Sequence, residues 1–227
     1  MAYRRTEGVE ARLADNRSRI LDAARRLVAE GGWADTQIAS VAATAGLATG
    51  TVYRYFASKA ELFAEVLALV SQREVDVLRE IVQSAASPRE GLHSAVATFV
   101  KRAMRNRRLA YALIAEPCER EIDAARLTWR HAISEQVLTL VRDGQREGSF
   151  RKGTRPEIAA TVIVGGFMEA LVGPLSPFTP EDGADPARQL ASIQALADEI
   201  AELCCAAVLV KQPSTISLLK TPSRKPA

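Results

Sequence analysis

Apolar residues recur at helical spacing along almost the whole chain. Ile20, Leu21, Ala24, Leu27 and Val28 fall on one helix face. Gly31-Gly32 follows them and can supply the left-handed cap that ends such a helix. The pattern returns at Leu62, Phe63, Val66, Leu67 and Val70. It returns again at Leu92, Val96, Phe99, Val100, Ala103 and Met104, and from Ala125 through Trp129, Ile133 and Val137 to Val141. No segment alternates with period two between Asn-Gly or Asp-Gly turns, so no strand is predicted and the fold class is all-α. Ala86-Ser87-Pro88, Pro117 and the turn at Gly148–Gly153 separate the helices, proline because it cannot donate to the helical ladder.

The window from Thr36 to Glu61 carries the chemistry. Thr36 is placed to cap a short helix containing Ile38, Val41 and Ala42, which ends at Ala45-Gly46, with Leu47 as an apolar plug in the turn. A second short helix is predicted from about Thr49 to Phe56. Two brief helices joined by a glycine-containing turn make a helix-turn-helix, whose second helix enters a DNA major groove. Val52 and Phe56, at i and i+4, anchor that helix. Thr49, Gly50, Thr51, Tyr53, Arg54 and Tyr55 remain for its outer face, small at the start and then rich in hydroxyls and a guanidinium for phosphates and base edges. Ser58 and Glu61 have capping-box spacing, so a new helix begins there, and Lys59 sits where an ammonium and a helix N-terminus can hold one phosphate.

Charge is distributed to match. Of the net +3 of the 227 residues, all lies in residues 1–60, which hold nine Lys/Arg against six Asp/Glu; residues 61–210 sum to −4. No acid occurs between Asp35 and Glu61, so the helix-turn-helix surface does not repel phosphate.

Taken together, Ile20-Leu21-Asp22-Ala23-Ala24, Gly31-Gly32, Ile38-Ala39 to Ala45-Gly46-Leu47, Gly50-Thr51-Val52-Tyr53-Arg54-Tyr55-Phe56 and Ser58-Lys59 to Leu62-Phe63 resemble the TetR family of transcriptional regulators over about Asn16 to Leu67. The resemblance implies a three-helix DNA-binding domain, a helical effector domain and a homodimer on a palindromic double-stranded operator. By position, Thr36, Thr49, Gly50, Thr51, Tyr53, Tyr55 and Lys59 match the family's usual DNA contacts. Ala48 stands where many relatives have a serine cap; alanine cannot cap, which shifts that role toward Thr49.

The expected organisation is a basic arm at 1–15, with Arg4, Arg5 and Arg12 able to follow a groove. A DNA-binding domain at 16–60, a ligand-binding and dimerisation domain at 61–210 and a disordered tail at 211–227 complete it. Thr154-Arg155-Pro156-Glu157 opens a helix over about 155–172, apolar on nearly every side and so expected to be buried all round. With the stretch 187–210 it would supply a four-helix dimer interface. A pocket for an unknown small-molecule effector follows from the resemblance, with Phe99, Met104, Tyr111, Glu116, Trp129 and Phe167 as candidate lining residues. Aromatics at 5% of the chain do not favour a cage for a cation. The cluster Arg102, Arg105, Arg107 and Arg108 reads as a solvated face that could attract an acidic ligand.

Other chemistry is thin. His93 and His131 lack metal spacing, and neither a metal nor another cofactor is expected. Three cysteines without a framework suggest a reducing, cytoplasmic setting, with Cys118 as a candidate redox thiol. No run approaches roughly 18 uncharged apolar residues, so no membrane span is expected. No paired carboxylates, nucleophile triad or phosphate loop suggests an enzyme. The rival within the same fold is a constitutive architectural DNA binder with no effector.

Overall fold

The computed structural model describes residues 7–179 and 185–210. Among them the chain forms nine helices and, apart from an isolated bridge between Phe150 and Leu209, no strand pairing. The first helix, α1, spans Glu7–Asp35. The arm expected over 1–15 is therefore helical from Glu7, with Arg12 exposed; Arg4, Arg5 and the tail at 211–227 lie outside the described residues. Gly32 interrupts α1 with φ 83° and ψ −170°, and a Cβ there would overlap the Arg108 guanidinium, whose Nη2 donates to the Gly31 carbonyl at 2.5 Å.

Helix α2 spans Ile38–Ala45 and ends on Gly46 in the left-handed conformation, φ 66°. Its N-cap is Gln37 rather than Thr36, which is buried and donates its hydroxyl to the Gly32 carbonyl at 2.7 Å. Helix α3, Thr49–Val52, is shorter than the stretch to Phe56 predicted for it. Beyond Val52, Arg54 N–H donates to Thr51 and Tyr55 N–H to Val52, the tighter i+3 pattern that closes a helix. Ala48 is its N-cap without a side-chain bond, so Thr49 is the first helical residue and keeps its hydroxyl free of capping.

Helix α4 spans Lys59–Ser84. As the spacing requires, Ser58 Oγ accepts from Glu61 N–H at 3.0 Å; the Glu61 carboxylate reaches back one residue further than the usual box, to Ala57 N–H at 2.6 Å. Then follow α5 (Pro88–Arg105), α6 (Arg107–Ile114), α7 (Arg120–Glu147), α8 (Pro156–Leu175) and α9 (Pro186–Ala206). Thr154 does not cap α8: Arg155 holds the N-cap without a side-chain bond, and the Thr154 carbonyl accepts from Gln145 at 2.8 Å.

The expectation that α8 is buried all round needs correction. Ile163, Val164, Phe167, Met168 and Leu171 are buried, whereas Ile158 and Val162 are 50% and 61% exposed. By length and composition α8 could cross a bilayer, with mean hydropathy 1.8 despite its two glutamates. In this fold its buried face packs mainly on α7. Helix α9 packs chiefly on α5 and only lightly on α8.

Two apolar cores result, and three helices, α4, α6 and α7, serve both, α7 through Ile122 on one side and Ile133 and Val137 on the other. Leu62, Phe63, Val66 and Leu67 of α4 join Ile20, Ala24, Val41, Val52 and Phe56 in the N-terminal core, while Val75 and Leu78 lie in the larger C-terminal one. Helix α6 divides likewise: Leu109 and Ala112 face the first core, Ala110 and Ile114 the second. A boundary at residue 60 therefore cuts through shared packing.

All three cysteines are free thiols. Burial pushes Cys204 and Cys205 up to about 11, and it raises Cys118 as well, although Arg126 Nη2 lies 3.3 Å from its sulfur. A redox thiol needs the opposite shift. His93 and His131 face Glu202 and Glu135 at 3.7 and 3.8 Å, and no metal-ligating cluster occurs among the described residues.

Gly32→Ala should destabilise the protein by roughly 1–3 kcal/mol, because alanine is strained at this φ and would displace Arg108. Thermal denaturation checks this; an unchanged Tm would contradict the packing described.

Candidate DNA-binding surface and effector cavity

The helix-turn-helix is held from behind. Val52 and Phe56 are fully buried, which fixes the roll of α3 against α2 and α4. Arg19 donates to the Ala45 carbonyl at 2.5 Å, satisfying the end of α2 beside Gly46. With its inner face so committed, α3 presents the rest. Thr49, Gly50, Tyr53 and Arg54 are exposed and Thr51 is half-buried, with nothing within 4 Å of where a Gly50 Cβ would stand. Tyr53 is 52% exposed.

The remaining candidates stand differently. Tyr55 is half-buried, its hydroxyl accepting from Asn16 Nδ2 at 3.2 Å, so it ties α1 to the turn. Lys59 is the first residue of α4, its ammonium 5.3 Å from the Phe63 ring centroid. Thr36, buried with its hydroxyl spent on Gly32, does not lie on this surface. Arg17 was not singled out by sequence reasoning; it stacks 5.3 Å from the Phe56 ring centroid and pairs with Glu65. Nothing in its spacing sets it apart from the other arginines of α1.

A cavity of about 100 Å³ opens between α4, α5, α6, α7 and α8. Of the six residues proposed to line it, Phe99 and Trp129 do. Phe167 is buried one position away from the lining residue Met168, its ring 5.0 Å from that of Phe99. Met104 and Tyr111 pack at the edge of the C-terminal core. Glu116 is buried for another reason: it receives Arg108 at 2.7 and 3.1 Å.

Of the polar lining, Arg102 belongs to the basic cluster noted in the sequence, whereas Glu74, Arg126 and Arg130 were missed. Glu74 accepts two hydrogen bonds from Arg102, at 2.7 and 2.8 Å, and those bonds hold the guanidinium above its ordinary pKa. Arg126 and Arg130 enter from successive turns of α7 and donate to the last carbonyls of α6. Arg126 bonds Ala112 and Leu113 at 3.2 and 2.9 Å, and Arg130 bonds Ile114 at 3.1 Å. Sequence spacing shows only arginines four apart on a helix, which is ordinary for a solvated face.

A helix-turn-helix with an acid-free, hydroxyl- and guanidinium-bearing outer face, carried on a helical body, defines a DNA-binding regulator. Residues 20–66 match the family model of bacterial regulatory proteins of the tetR family, which supports a TetR-family transcriptional regulator. It is 24% identical to the HTH-type transcriptional regulator UidR of Escherichia coli K12 over 197 residues, 84% of this chain and 95% of that protein. The repressor KstR of Rhodococcus jostii RHA1 is 44% identical over 59 residues, 26% of this chain and 28% of its own. The fold is similar to that of the Bacillus subtilis regulator FadR solved in complex with stearoyl-CoA. The TM-score is 0.71 at 20% identity, over 84% of this chain and 98% of FadR.

Arg54→Ala should cost roughly 1–3 kcal/mol of operator binding and change sequence preference if the guanidinium reads a base. Lys59→Ala should weaken all sequences alike and lower the salt slope by about one unit. Mobility shifts at several salt concentrations separate the two; an Arg54→Ala protein with unaltered preference would remove its base-reading role.

Proposed function

We propose that the protein is a cytoplasmic, homodimeric repressor released from a palindromic operator by a small-molecule effector. The observation that carries the reading is the cavity's position. Its walls include Leu67 and Val70 of α4 and Leu109 and Leu113 of α6, and these two helices also pack the core beneath the recognition helix. A molecule that binds better to one setting of α4 and α6 shifts the population of DNA-binding geometries by that difference in affinity. A constitutive architectural binder has no use for such a cavity. The repressor sense is supported by the similarity to the repressor KstR, 44% identical over 59 residues.

The dimer reading draws on the outer face of α8. Ile158 and Val162 are exposed there, and a Cβ added at Gly165 or Gly166 would meet nothing within 4 Å, leaving room for close helix approach. On α9, Leu190 and Leu203 are 62% and 67% exposed. Paired two-fold, these faces would set two recognition helices in successive major grooves, about 34–36 Å apart.

Mobility shifts with DNA from upstream of the gene, repeated with a metabolite panel screened by thermal shift, test the regulatory reading. A stabilising ligand should release the DNA; if no metabolite alters either stability or binding, the constitutive reading prevails. Val162→Asp combined with Leu203→Asp should sediment as a monomer and bind operator at least tenfold more weakly. A double variant that remains dimeric would place the interface elsewhere.

A further inference from the structure

We infer that the cavity takes an amphipathic anion, a carboxylate on an apolar body, with Arg130 receiving the carboxylate. This rests on the effector reading of the cavity and adds the ligand's chemical class. Most of the wall is apolar: Leu67, Phe99, Leu109, Leu113, Trp129 and Met168. Such a wall takes hydrocarbon and gives no reason for charge.

The guanidinium groups supply one, and they are not equivalent. Arg102 is neutralised by Glu74 in a two-bond pair. Arg126 spends Nε on Leu113, Nη1 on Asp123 and Nη2 on the carbonyls of Ala112 and Glu116. Arg130 donates once, from Nη2 to Ile114, and its Nε–H is buried with no acceptor. A buried N–H on a cation left without an acceptor is costly, and a native fold ordinarily provides one. Among the described residues only Arg130 combines that unmet donor with a place on the cavity wall; Arg25, whose Nε is also unmet, lies outside it. A carboxylate suits the guanidinium edge, with two acceptor oxygens against parallel donors. Glu74 being spent on Arg102, the lining carries an excess of positive charge that favours an anion and disfavours an amine.

The same arginine holds the end of α6 through Ile114. A ligand on Arg130 therefore acts on the helix that touches the DNA-binding core.

The test uses the full-length protein and three probes of equal chain length: octanoate, 1-octanol and octylamine, titrated by calorimetry. Octanoate should bind at least tenfold more tightly than octanol, and octylamine most weakly. Arg130→Met should abolish the preference for octanoate while leaving octanol binding unchanged. Should that variant fail to fold, Glu74→Gln serves instead: freeing Arg102 should tighten octanoate severalfold without affecting octanol. Octanol or octylamine equal to octanoate would overturn the inference, as would an Arg130→Met protein that keeps the preference. If the three probes fail while other metabolites bind and release DNA, the anion class is wrong and the effector reading stands. If nothing binds, both fall.

Discussion

Helix α6 ends inside the protein, where its last carbonyl oxygens have no water to accept from, and the donors that meet this need come from both halves of the chain. Trp33 Nε1, from the last turn of α1, donates to Ala112 at 2.7 Å. Arg126 and Arg130, from α7, take Ala112, Leu113 and Ile114. A buried carbonyl left unmet costs on the order of 1–3 kcal/mol. The eight-residue helix is too short to persist by its own propensity. The position of α6 is thus set by a tryptophan on the DNA-binding side and two arginines on the cavity side, and it moves only if one of these grips changes.

That arrangement explains why a small cavity can matter to a surface on another domain. Arg108 adds a second link: it pairs with Glu116, stacks 6.0 Å from the Tyr111 ring centroid and donates to Gly31. Gly32 leaves room for it. Helix α4 runs alongside as a continuous rod from Lys59 to Ser84. Coupling through packed, hydrogen-bonded elements with discrete positions needs no long-range field, which salt would screen within about 10 Å.

The parts of this protein that could be read from its sequence are those set by neighbours in the chain. Helical period, the Ser58 cap, the break at Ala86-Ser87-Pro88 and the Gly46 turn are local, and each stands where the spacing puts it. The outer face of α3 was legible because Val52 and Phe56 define its opposite. Failures came where a distant partner decides. Thr36 looks like a cap until the Gly32 carbonyl claims its hydroxyl. Glu116 looks like a pocket residue until Arg108 claims its carboxylate. Helix α8 carries apolar residues all round, yet Ile158 and Val162 on its outer face are exposed. The arginines of the cavity were hidden by their resemblance to any solvated helix face. No periodicity distinguishes a guanidinium that reaches a helix end from one that reaches water.

The sharing of α4 and α6 between two cores also bears on how such a protein can be recombined. A chimera joined at residue 60 would inherit one partner's helix-turn-helix but present it with a stranger's Leu62, Phe63, Val66 and Leu67, all of which are buried in the core built on α1 and α2. It would also separate Trp33 from the carbonyl it was shaped to meet. The exchangeable module is larger than the motif: it is the chain to about Leu67 together with a matching α6 surface. Residues on the exposed outer face of α3 can therefore change freely, while the inner seam must change in concert on both sides.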